Sequence, residues 1–227
     1  MFENIKLIAF DLDGTLLDSV PDLARAVDLA MQDLDYPGVT LEQASHWIGN
    51  GADVLVSRAL SQSVVVAEGL NPELVKTARA RLDHHYHEGG HKLSHLYPNV
   101  KETLESLYQE GYTLALVTKK PAQFVPELLK QHQLEHLFVD VIGGDTFVEK
   151  KPNPFALNWL LDKHHLLPTQ MLMVGDSQND IQAAKAAGCY SFGLTYGYNH
   201  GEPIADSDPD VVSDEFNHLL AVMSVAR

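Results

Sequence analysis

The chain has 227 residues, 45% of them hydrophobic, so it can bury one large domain or a domain with a sizeable insertion. Its formal net charge of −15 opposes a nucleic-acid backbone or an anionic membrane, and no stretch approaches the roughly 18 uninterrupted apolar residues of a membrane span. The start, MFENIKLIAF, lacks the basic flank and cleavage site of a secretory signal, and the one cysteine, Cys189, excludes a disulfide framework and a Cys-based zinc site. A cytoplasmic protein acting as monomer or homodimer is the expectation.

The first predicted strand, KLIAF, runs directly into Asp11, Asp13 and Gly14. A calcium loop of the EF-hand type is rejected there, because the glycine comes fourth rather than sixth and an apolar strand precedes it. From Ser19 to Tyr97 the pattern is helical only. Val20, Leu23, Val27, Ala30, Met31 and Leu34 recur at helical spacing before Pro37-Gly38; Thr40 with Gln43 forms a capping box; Asn71-Pro72 starts a long helix that should stop at Gly89-Gly90. The histidines of LDHHYHEGGHKLSH, with His87 and His91 four apart, read as a solvated helix end, since the glycine pair separates them.

From Tyr112 onward short apolar runs alternate with amphipathic stretches: YTLALVT, a helix to Gln133, FVDVIGG, FALNWLLDKHH, MLMVGD, IQAAKAAG and YSFGLT. That rhythm predicts an α/β fold, a Rossmann-like, doubly wound parallel sheet with helices on both faces. The core comprises residues 1–18 and 97–227, and residues 19–96 form an inserted helical domain. Such an insertion follows the carboxyl end of the first strand, where open α/β sheets bind ligands.

MLMVGDSQND delivers a second acidic cluster, Asp176 and Asp180, from another strand end. Carboxylates converging from two strand ends repel unless a cation sits among them, and hard oxygen donors suit Mg²⁺. Two other strand ends offer partners for an anion: Thr118 with Lys119 in LALVTKK, and Lys150 and Lys151 in EKKPNP. Trp47 and Trp159 lie at apolar helical positions and read as core; TYGYN reads as a loop with aromatic packing that could border the site.

DLDGT, Thr118 at a strand end, Lys151 in KPNP and GDSQND, in that order, resemble the four motifs of the haloacid dehalogenase superfamily of phosphatases, over essentially the whole chain. The resemblance implies a C1-type cap for the helical insertion, Mg²⁺ as cofactor and a small anionic phosphate ester as substrate, with neither nucleic acid nor membrane as partner. It further implies Asp11 as nucleophile and Asp13 as acid and base. Asp11, Asp176 and the main-chain carbonyl of Asp13 become metal ligands, and Lys151 and Thr118 hold phosphoryl oxygens. Asp180 orients Lys151 or a metal-bound water, with direct ligation as the second option. A sugar-phosphate mutase and a metabolite-binding module without turnover stay open as alternatives. In the cap, Gly49-Asn50-Gly51 precedes a helix whose free amides could take a substrate carboxylate, with Arg58 as charge partner; the other reading is a glycine turn with Arg58 on a solvated face.

Overall fold

Strands buried on both faces must be apolar along their whole length, and that requirement shapes the sheet. In the computed structural model, which describes residues 2–223, the chain starts with β1 (Leu7–Phe10) and passes through the two-residue β2 (Leu17–Asp18). It continues into α1 (Val20–Gln32), α2 (Leu41–Trp47), α3 (Ala52–Ser61) and α4 (Pro72–Gly89). After β3 (His95–Leu96) and α5 (Val100–Gln109) come β4 (Thr113–Val117), α6 (Val125–Gln131), β5 (Phe138–Ile142) and α7 (Phe155–His164). The remainder is β6 (Met171–Gly175), α8 (Gln178–Ala187), β7 (Tyr190–Leu194), β8 (Val211–Ser213) and α9 (His218–Val222). Among the described residues no helix is long and apolar enough to cross a membrane.

The chain divides into two compact units. One runs up to Leu17 and resumes at Leu96; the other spans Asp18–His95. The first holds a sheet of order β5-β4-β1-β6-β7-β8, parallel throughout. All four residues of β1 are buried, because it lies in the middle of the sheet. On one face Ile8, Phe10, Leu114, Leu116 and Val174 pack with Leu104, Leu107 and Leu128. On the other, Leu7, Ala9, Ala115 and Met173 pack with Leu157, Leu160 and Ala184. Phe10 is in register with both Leu116 and Val174. The residues after β1, β4 and β6, which include Asp11, Thr118 and Asp176, therefore leave the same edge of the sheet together. The three-residue β8 was not foreseen; only one of its residues is buried.

The second unit is helical. Thr40 caps α2 through the Gln43 amide, and Gln43 returns the bond to the Thr40 amide. Trp47, Leu55, Val56, Leu82 and Tyr86 are buried. Asp22, buried near the start of α1, accepts from the Leu93 amide at 3.0 Å and from the amide and hydroxyl of Ser94, both at 2.6 Å, so the last stretch of the unit is tied to its first turn. α4 stops where the glycine pair requires, with Gly90 left-handed at φ 63°. One expectation fails here. His84 and His87 are exposed, but His91 is completely buried with its ring 4.4 Å from that of Tyr86. Gly90 and His91, at φ 63° and 53°, reverse the chain beneath the helix they end, so a residue that spacing placed in solvent is enclosed.

Candidate active site

Asp11 continues the β1 ladder, its amide donating to the Val174 carbonyl at 3.0 Å, so its position is set by the sheet rather than by a loop. Its Oδ1 accepts from the Leu12 amide at 2.7 Å and lies 3.1 Å from the Lys151 ammonium. Burial raises the Asp11 carboxyl to about 6; the Lys151 charge opposes the rise and Asp180 adds to it. Lys151 is itself buried and reaches the Val117 carbonyl and Asp180 Oδ1, each at 2.6 Å. Burial favours a neutral amine there, but the Asp11 and Asp180 carboxylates outweigh it and hold the ammonium above its ordinary pKa.

Asp180 is completely buried, and its role begins as a helix cap. Its Oδ2 accepts from the amide and hydroxyl of Ser177 at the start of α8, while Oδ1 holds Lys151. With three hydrogen bonds already on its two oxygens, Asp180 has the surroundings of a group that orients the lysine.

Asp176 is gripped more tightly than any reading of the sequence suggested. Oδ1 accepts from the Thr15 hydroxyl at 2.5 Å and Oδ2 from the Tyr198 amide at 2.6 Å. The main chain of Gly14 and of Gly197 presses against it so closely that a Cβ at either position would lie 2.2 Å from Oδ2. Burial, then the charges of Asp180 and Asp11, push the Asp176 carboxyl well above the usual range. One carboxylate oxygen from each of Asp11, Asp176 and Asp180 lies within 4.8 Å of the others. Three carboxylates, two of them paired with the one Lys151 ammonium, leave excess negative charge in a largely enclosed place. Hard oxygen donors in that state fit a divalent cation.

The Asp13 carboxylate stands apart from this cluster. It is held by Lys120, whose ammonium lies 2.9 Å from Oδ1 and 3.2 Å from Oδ2. The Asp13 carboxylate is thus engaged by an ammonium and is not one of the three that converge. Thr118 is buried after β4, where its hydroxyl oxygen accepts from the Lys120 amide at 3.1 Å. Lys119 is half-buried, and burial, with the nearby Lys151 charge, lowers its ammonium to about 8. A cleft of about 370 Å³ opens beside Asp176, lined by Thr195, Gly197, Asn199, Glu202 and Ile204 among others.

Gly49, Asn50, Gly51 and Arg58 belong to the helical unit. Gly49 and Gly51 take φ of 108° and 89°, and Gly51 caps α3 without a side chain, leaving the first amides of that helix uncapped by it. Arg58 corrects one alternative: it is buried rather than solvated. Its Nε donates to the Val64 carbonyl at 2.9 Å and its Nη1 to the Trp47 carbonyl at 2.7 Å, bracing the interior of the unit.

Sequence reasoning does not single out Thr15 or Lys120, and it places the 196–199 segment only as a loop that could border the site. Thr15 follows the DLDG turn directly, and that adjacency was a usable signal. Lys120 precedes a proline, a pattern that more often marks a surface turn. TYGYN does border the site, and its contribution to Asp176 is a backbone amide, which no side-chain pattern announces.

The family model described as haloacid dehalogenase-like hydrolase matches residues 8–194. A protein from Aliivibrio fischeri named phosphoglycolate phosphatase is 81% identical over 227 residues, 100% of both chains. One from Vibrio cholerae with the same name is 64% identical over 99% of each. The crystal structure of a predicted phosphoglycolate phosphatase from Haemophilus somnus superposes with a TM-score of 0.92 at 45% identity, covering 99% of this chain and 100% of that one.

Proposed function

The chain belongs to the haloacid dehalogenase-like hydrolases, and we propose that within them it is a Mg²⁺-dependent phosphatase that hydrolyses 2-phosphoglycolate to glycolate and phosphate. The observation that carries the chemistry is the partly buried Asp11 carboxylate 3.1 Å from Lys151, beside Asp176 and with Asp13 separately held by Lys120. Phosphoglycolate as the substrate rests on the relatives from Aliivibrio fischeri and Vibrio cholerae that bear that activity as their name.

An Asp11 oxygen attacks phosphorus, the bond from phosphorus to the ester oxygen breaks, and Asp13 gives its proton to the departing alkoxide. The phosphoryl group is then on Asp11 as an acyl phosphate. Asp13, now a carboxylate, takes a proton from water as that water attacks phosphorus, which frees Asp11 and releases phosphate. Lys151, Thr118 and Lys119 bind the phosphoryl oxygens as charge spreads over them. Asp180 holds Lys151 in line, and Lys120 fixes the direction of Asp13. Asp11, Asp176 and the Asp13 carbonyl would hold Mg²⁺, which when bound neutralises the charge between the nucleophile and the phosphoryl group. In the helical unit, the start of α3 at Gly51 takes the carboxylate of glycolate.

The test is phosphate release from phosphoglycolate, phosphosugars, nucleotides and pyrophosphate with Mg²⁺ present. The expected result is a kcat/KM for phosphoglycolate about tenfold or more above the others, equivalent to roughly 1.4 kcal/mol of transition-state discrimination. Faster turnover of another ester would overturn the substrate. Full activity in excess chelator would overturn the cation.

A further inference from the structure

Tyr196, Gly197, Tyr198 and Asn199 close on Asp176 from behind. The Tyr196 hydroxyl donates to the Thr15 carbonyl at 2.8 Å, and the Thr15 hydroxyl donates to Asp176 Oδ1. The Tyr196 ring lies against Tyr97, with centroids 4.3 Å apart, which directs the hydroxyl. Gly197 contributes only its absence of side chain: a Cβ there would sit 2.2 Å from both Cβ and Oδ2 of Asp176 and 2.3 Å from Cγ. Tyr198 supplies the amide to Oδ2. Asn199 then fastens the segment, its Oδ1 accepting from the Gln178 amide in the first turn of α8 and its Nδ2 donating to the Glu202 carbonyl, each at 2.9 Å. One loop therefore bonds to the turn that carries Thr15 and to the helix that carries Asp180.

We propose that the Tyr196–Asn199 segment is a positioning device that locks the Asp176 carboxylate in a single orientation and thereby makes the cation site selective for a small, geometrically demanding ion over a larger one. Each Asp176 oxygen receives one short hydrogen bond from this assembly, which fixes the carboxylate's rotation while leaving further lone pairs on both oxygens. Mg²⁺ requires near-ideal octahedral geometry and loses most from a rotated ligand, whereas Ca²⁺ tolerates variable coordination. Outer partners of a metal ligand generally matter at about 10–100-fold in affinity. The inference rests on Asp176 as a ligand of the cation.

The experiment is calorimetric titration of chelator-stripped protein with Mg²⁺ and, separately, Ca²⁺. Wild type, Gly197→Ala and Tyr196→Phe are compared, with melting temperatures measured in chelator. Gly197→Ala should weaken Mg²⁺ by about tenfold or more and Ca²⁺ by about threefold or less. Tyr196→Phe keeps the ring against Tyr97 and loses only the hydroxyl; it should show the same ordering at about threefold for Mg²⁺, with its melting temperature in chelator unchanged. A packing role alone predicts wild-type affinities for Tyr196→Phe. If Gly197→Ala fails to fold, Tyr196→Phe decides. Unchanged Mg²⁺ affinity, or equal losses for the two ions, would overturn the proposal while leaving the phosphatase reading intact. Failure of the wild type to bind Mg²⁺ would overturn both.

Discussion

At the scale of single residues, the site is a collection of charges that would not tolerate one another without added positive charge. Asp11 has its carboxyl raised to about 6, above the ordinary aspartate range, so the folded, metal-free chain holds that proton more tightly than the unfolded chain does. Its contribution to stability is present below about pH 4 and is lost as pH rises through about 6. Asp11→Asn removes this partly buried charge. In chelator, it should melt above wild type at pH 8, by on the order of 2 kcal/mol, and the gap should close toward pH 4. The same substitution should abolish turnover. Thermal melts across pH, with and without chelator, read the first effect; a variant uniformly less stable than wild type would contradict it. Lys120 offers a second check. Its ammonium holds both Asp13 oxygens, so Lys120→Met should lower kcat about 10–100-fold for alkyl phosphates, which need a proton on the leaving oxygen, and much less for aryl phosphates, which do not. Equal losses for both classes would remove Lys120 from the protonation step.

Elements differ in how plainly they are written in the chain. LIAF, TLALV and MLMVG were legible because central parallel strands must be continuously apolar, and the capping residues Thr40, Asn71 and Gly90 were legible because each satisfies a specific need of a helix end. Thr40→Ala should therefore cost about 1 kcal/mol by chemical denaturation and leave kcat unchanged. What was not legible lacks a periodic signature: β8 is an edge strand of three residues, and His91 owes its burial to a reversal made by two positive φ angles. In the site, the carboxylates were legible because strands aim them, but Lys120 and the Tyr198 amide were not, because their partners lie far along the chain. The start of α3 is the element proposed above to take the substrate carboxylate. Gly51 has φ 89°, which a branched residue reaches only with strain of about 1–3 kcal/mol, so Gly51→Val disturbs the helix start itself. The ratio of kcat/KM for phosphoglycolate to that for a neutral phosphate ester of similar size should still fall about tenfold. An equal fall for both would assign the loop to folding.

Taken whole, the molecule repels what it is proposed to bind. A net charge of −15 surrounds a site for a small anion, and salt screens that field with a Debye length of about 10 Å at 0.1 M. KM for phosphoglycolate should fall about two- to threefold between about 0.01 M and 0.15 M ionic strength at constant Mg²⁺, with kcat steady, measured in parallel with a neutral inert salt series. A rising KM would mean that local positive groups dominate even at long range. The sheet order has a consequence of another kind. β1 lies between β4 and β6, so it is synthesised ahead of both neighbours and waits for residues 113–117 to cover one edge and for residues 171–175 to cover the other. The helical unit, Asp18–His95, is contiguous and is finished long before. During synthesis the order of completion is thus the reverse of the order of first appearance: the insertion can fold while the strand that precedes it, which leads into Asp11, still hangs as an unpaired apolar segment. That segment is the point at which a nascent chain of this design is most exposed to wrong pairing.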